Sequence, residues 1–219
     1  MTWLQHNAGT VAEAAWAHLW LALPAIALSF LLALPVAWVA NRLRWSRFTL
    51  LLVTGLLYAI PSLPLFIMLP MVTGAPVRSP VNVVAALTAY GLSLMVRSAA
   101  DALDAVPEAT LLSATALGYS GLRRFFTVQL PLGAPALLAG LRVVSVSTVS
   151  LVTVSGVLGV PSLGLLFTDG FQRGIVAEVI AGIVATVALA MLVDLALVSL
   201  GRLLLPWQRS GRPGTAGVV

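Results

Sequence analysis

The chain has 219 residues, 60% of them hydrophobic and 9% charged, with a mean hydropathy of +1.04 and a net charge of +5. A soluble domain carries about 25% charged residues, so this composition lacks a polar skin and points to an all-α integral membrane protein, its apolar runs being continuous rather than alternating. The absence of Cys and Lys excludes disulfides, thiolate chemistry, a P-loop lysine and Schiff bases, and His6 and His18 as the only histidines leave too few ligands for a catalytic metal or a metal cofactor.

Residues 1–17 lack the basic start of a cleaved signal and are expected to form an extracytoplasmic segment. Five spans are expected, at about 18–40, 48–72, 81–96, 133–156 and 177–205, each measured against the ~20 apolar residues that cross a bilayer. Pro24 and Pro35 interrupt the first, which a membrane helix tolerates. Pro61, Pro64 and Pro70 predict a kink or break in the second. The third is short. A polar loop, 97–131, separates it from the fourth, and a Gly-rich stretch, 159–174, lies before the fifth. Residues 206–219 form a polar tail.

The arginines set the topology. Arg42, Arg44, Arg47, Arg97, Arg123, Arg124, Arg202, Arg209 and Arg212 collect on one side, and Arg78 and Arg173 on the other. The N-terminus is therefore expected outside and the C-terminus in the cytoplasm. Because the basic residues flank apolar runs, they speak for topology and not for nucleic acid. Trp3, Trp16, Trp20, Trp45 and Trp207 fall near the interfaces.

Within the polar loop, Glu108 to Leu117 reads as a helix that opens on an acid and stops at Gly118. Ser120 can cap a second short helix, Leu122 to Val128, which Leu130-Pro131 then ends. An ordered helical pair at a membrane face suggests a docked partner, where a plain connector would be shorter.

These residues resemble the permease subunits of binding-protein-dependent ABC importers. Those carry Glu-Ala-Ala, three residues, Gly, nine residues and Ile-x-Leu-Pro in a cytoplasmic loop. Here Leu112 stands at the Glu position and Ser113 and Ala114 at the two alanines. Gly118 keeps the Gly, Val128 replaces the Ile, and Leu130-Pro131 keeps the Leu-Pro. Tyr58 to Pro64, Ala139 to Arg142 and Gly159 to Gly164 resemble stretches of the glycine betaine/carnitine/choline (osmoprotectant) permeases, with Pro161 and Ser162 in place of two glycines.

The resemblance implies a type I, MetI-like fold in which the loop forms coupling helices seated in a groove of an ATPase subunit. Tyr119, Arg123 and Arg124 would share that surface. It also implies a second permease copy or a sister permease, an extracytoplasmic substrate-binding protein, surrounding lipid, no cofactor, and ATP hydrolysis on a separate subunit. A methionine-type permease of the same superfamily is the nearest alternative. A stand-alone secondary transporter or channel would call for paired repeats or more intramembrane carboxylates, and an intramembrane enzyme for catalytic clusters that are missing here.

Other residues carry narrower expectations. Arg142 and Asp194 are ionisable groups inside spans, about 13 and 17 Å from the cytoplasmic ends of their helices. Their similar depth suggests a pair that serves as a packing lock or in gating. Pro61 and Ser62, together with the hydroxyl-rich fourth span (Ser147, Thr148, Ser150 and Ser155), are pathway candidates, with ordinary helix packing as the alternative. Tyr58 and Phe66 could offer cation–π contacts, although core packing is the simpler role. Asp101, Asp104 and Glu108 form an acidic run that is either solvated or paired with arginines of a partner or of the tail.

Overall fold

The computed structural model describes residues 2–208; Arg209 and Arg212, and with them most of the tail, lie outside the described residues. Small residues at three- and four-residue spacing organise the fold. Ala22, Ala25, Ser29, Ala33, Ala37 and Ala40 line one edge of α1 (Thr2–Arg42) and are wholly buried. Small side chains let helix backbones approach closely in a bilayer. Along this edge α1 crosses α4 (Pro80–Asp104), where a Cβ on Gly91 would lie 2.2 Å from Ser29 Oγ. The same Ser29 hydroxyl donates to Ala25 O at 2.7 Å and to Thr88 O at 3.2 Å, tying the two helices together.

The segment 2–17 is part of α1 and not a separate element. At 1.5 Å per residue the helix is about 60 Å long, twice the ~30 Å hydrocarbon thickness. Pro24 and Pro35 are both inside it.

The second apolar run is broken. α2 (Arg44–Ala59) and α3 (Ser62–Thr73) meet at an angle of 105°. Pro61 has no N–H to give and drives Ile60 out of the helical region, and Ile60 is indeed extended (φ −68°, ψ 127°). Tyr90 Oη donates to the freed Ile60 carbonyl at 2.5 Å.

α4 corrects the expected third span. It runs eight residues past Val96, because Ala99, Ala100, Ala102 and Leu103 extend the buried face while Arg97, Asp101 and Asp104 point outward. Charge on one face ends a hydropathy run without ending a helix.

α5 (Glu108–Ala116) and α6 (Gly121–Arg124) follow. The second short helix does not stop at Leu130-Pro131. It passes through a π turn, Phe125–Gln129, directly into α7 (Leu130–Val152). Leu130 N–H reaches back five residues to Phe125 O, and this wider turn precedes Pro131, which cannot supply the regular bond.

α7 tightens into a 3₁₀ turn at Thr153–Leu158. α8 (Gly164–Arg173) and α9 (Val176–Leu204) complete the chain of long elements. No strand occurs among the described residues. Among the described residues four helices are long and apolar enough to cross a membrane, and the bent α2–α3 pair makes up to five. The core forms two clusters that share Leu141, one around Phe66, Leu87, Val149 and Leu163, the other around Met95, Leu103, Phe125 and Val144.

The turn after α7 is backbone against backbone. A Cβ on Gly164 would lie 1.9 Å from Thr153 O. Ser162 Oγ accepts from Gly164 N–H and lies 3.2 Å from Ser155 Oγ. Gly164→Ala should therefore lower unfolding stability in detergent by on the order of 3 kcal/mol; a melting curve like that of the wild type would show that the turn can open without cost.

Candidate functional site

The loop between α4 and α7 is built as two helices at a fixed angle. α5 closes in a Schellman motif: Tyr119 N–H donates to Ala114 O at 3.1 Å and Gly118 N–H to Thr115 O at 2.9 Å. Gly118 is left-handed, with φ +82°. A Cβ there would meet nothing within 4 Å, so it is conformation and not space that calls for glycine. Ser120 then caps α6, its Oγ accepting from Arg123 N–H.

The adjacent arginines diverge. Arg123 lies over the Tyr119 ring at 4.6 Å. Arg124 folds back onto α5, its Nη1 donating to Thr115 Oγ1 at 2.7 Å. Ser113 is exposed, and so are Leu112, Leu117, Leu122 and Phe126, while Ala114 is buried. Four large apolar side chains are thus left open on this loop. Val128, Leu130 and Pro131 are half-buried and anchor the loop. Gln129 Nε2 donates to Leu103 O, and Phe125 packs edge-on against Trp38 at 5.9 Å.

Asp101 and Asp104 are engaged within the chain. Both pair with Arg47 at the start of α2, Asp101 at 3.4 Å. The acidic run thus fastens α2 to the end of α4.

In the membrane-crossing part, Arg142 and Asp194 meet. Arg142 Nε donates to Asp194 Oδ1 at 2.6 Å and Nη2 donates to Oδ2 at 2.7 Å. The bidentate geometry satisfies both carboxylate oxygens and joins α7 to α9. A cavity of about 300 Å³ beside the pair is lined by Leu138, Gly201 and Arg202 among others. The pair is only half-buried, at 43% and 24% side-chain exposure. Charge at this depth is costly against lipid, so this face suits water or another protein chain.

The hydroxyls of α7 and the turn beyond it separate by burial. Thr148 and Ser155 are buried in the bundle, whereas Ser147 is half-buried and Ser150 exposed. Pro61 and Ser62 sit at the 105° bend, Pro61 exposed and Ser62 half-buried. Phe66 is wholly buried and unavailable to a solute; Tyr58 is half-exposed, its ring edge-on to Tyr90 at 5.9 Å.

Three polar contacts were not legible beforehand. His18, wholly buried, donates from Nε2 to Val149 O at 2.9 Å. Asn41 Nδ2 donates to Ala100 O at 2.9 Å. Glu178, buried at the start of α9, lies 3.8 Å from Arg173. For His18 and Glu178 a lone polar residue in an apolar run was the only signal, and Asn41 was hidden at the head of an arginine-rich stretch.

The sequence pattern of the family described as binding-protein-dependent transport system inner membrane component matches residues 25–210. The chain belongs to this family. It is a multi-pass membrane permease of the ABC importer class, whose members work with binding proteins and ATPases and are generally not catalytic themselves. This permease is 29% identical over 192 residues to the osmoprotectant import permease protein OsmW of Salmonella typhimurium, covering 86% of this chain and 88% of that one. It is 25% identical over 203 residues to the choline transport system permease protein OpuBB of Bacillus subtilis, covering 93% and 92%. Its fold is that of a chain of the MetNI methionine ABC transporter, with a TM-score of 0.77 at 20% identity over 88% of this chain and 95% of that one.

Proposed function

We propose that this permease is the membrane subunit of an ATP-driven importer for osmoprotectant-type quaternary amines such as glycine betaine, choline or carnitine. The observation that carries the coupling part is the α5–α6 pair: two helices held at a left-handed glycine, with exposed leucines on one side and anchoring residues on the other. Such a pair can be pushed as a unit. Leu112, Ser113, Gly118, Tyr119 and Arg123 would meet the ATPase, and Ala114, Arg124, Val128, Leu130 and Pro131 would pass the displacement to α4 and α7.

Two permease chains, identical or paralogous, would enclose the path, with a binding protein delivering solute from outside. The N-terminus would lie outside and the C-terminus in the cytoplasm, following the distribution of arginines. Ser147 and Ser150, together with Pro61 and Ser62 at the bend, would form a weakly polar lining for a solute that is passed on rather than held. Thr148 and Ser155 would act in packing. The substrate class is supported by the relatives named osmoprotectant and choline permeases.

The test is uptake of radiolabelled glycine betaine by cells that express the permease with its ATPase and binding protein. Competition by choline and carnitine, and none by methionine, is expected. Competition by methionine alone would assign the methionine-type reading instead.

A further inference from the structure

Between the ends of α1 and α4 on one side and the coupling helices α5 and α6 on the other lies a cavity of about 520 Å³. Its lining mixes apolar residues, among them Trp38 and Leu103, with charged ones. Arg47 is already engaged by Asp101 and Asp104. Arg42 and Arg124 are not: among the described residues no carboxylate lies within ion-pair distance of either. The Arg42 guanidinium is steadied over the Trp38 ring at 5.3 Å. Its Nη1 lies 3.8 Å from where a Cβ on Gly121 would be, so it stands between α1 and α6. Arg124 uses Nη1 on Thr115, and its Nε is buried without a partner. On the opposite wall Asn41 gives Nδ2 to Ala100 O, and its Oδ1 is likewise buried without a partner.

Buried polar atoms are nearly always satisfied, and here an orphan donor and an orphan acceptor belong to two residues that line one cavity. Glu108 also faces the cavity, which disfavours a bare anion. The complement to these walls is a phosphate for the two arginines with a hydrogen-bond donor beside it for Glu108. Trp38 lies one helical turn into the apolar stretch from Arg42, the depth at which an interfacial ring and a lipid phosphate are found.

We propose that this cavity binds the head group of a membrane phospholipid of the ethanolamine or glycerol type, wedged between the bundle and the coupling helices, with its phosphate on Arg42 and Arg124.

The test uses the assembled transporter, purified in detergent, with bound phospholipid counted by native mass spectrometry and stability followed by thermal melting. Wild type is expected to retain about one phospholipid per permease chain, and added phosphatidylethanolamine or phosphatidylglycerol to raise the melting temperature where inorganic phosphate does not. Arg42→Gln with Arg124→Gln should reduce retention about tenfold or more, since each removes a charge-assisted hydrogen bond to the phosphate. Leu111→Trp keeps every charge and only fills the space. It should reduce retention equally, and it carries the test if the double variant does not fold. Unchanged retention in the folded variants overturns the proposal. So does stabilisation by inorganic phosphate alone, which would mean a soluble anion. Loss of the ATPase from the complex with lipid content unchanged overturns it as well, because the cavity would then belong to the partner protein.

Discussion

Asp194→Leu is expected to lower the amount of permease in the membrane sharply, and Arg142→Leu with Asp194→Leu to restore most of it. Arg142 and Asp194 satisfy each other through two short hydrogen bonds between α7 and α9. Removing the carboxylate leaves a guanidinium at bilayer depth with no counter-charge. Removing both leaves two apolar side chains on helices that already pack together. Breaking one partner of an intramembrane pair is therefore worse than removing the pair. Membrane level, read by immunoblot, and solute uptake separate the two roles. Recovery of both in the double variant means the pair is a packing lock. Recovery of level without uptake means it takes part in the transport cycle. A normal level and normal uptake in Asp194→Leu itself would show that the pair does neither.

Gly118→Val is expected to leave the chain in the membrane but to uncouple uptake from ATP hydrolysis. The site has room, with nothing within 4 Å of the new Cβ. The penalty lies in the backbone: φ of +82° is unfavourable for an L-residue by ~1–2 kcal/mol and most severe for a β-branched one. Relief comes by rotating out of the left-handed region, which changes the angle between α5 and α6. Gly118→Asn, which tolerates this conformation, should retain most of the uptake. Stimulation of ATPase activity by loaded binding protein is the direct readout. Full stimulation and uptake in the valine variant would remove the α5–α6 angle from the mechanism. Gly118→Trp carries the same backbone strain and adds bulk on the surface proposed to meet the ATPase.

Much of the architecture was legible because a bilayer simplifies the code. Continuous apolar runs mark helices, and Pro61 following Ile60 marks a break, since both effects act within a few residues. The helix-stop-helix pattern of the loop between α4 and α7 was legible for the same reason: Gly118 ends one helix through its backbone and Ser120 begins the next through its side chain, both within a few residues. Local rules failed where charge and helix part company. Arg97, Asp101 and Asp104 belong to α4 because alanines between them stay buried against other helices. Leu130-Pro131 continues a helix because a π turn absorbs the proline. Neither fact is written in the residues concerned.

What the sequence by itself determined is the class of protein, the positions of most helices and the shape of the loop between α4 and α7, all consequences of short-range backbone chemistry and of composition. Tertiary structure alone decided which polar groups meet. Arg47 finds Asp101 and Asp104, His18 finds Val149, Arg123 and Arg124 part in opposite directions, and Phe66 withdraws into the core while Tyr58 stays open. The physical reason is that a side chain's partner depends on how helices far apart in sequence are rotated and crossed. Those rotations are set by the summed packing of many small residues, of which no single position carries a readable share.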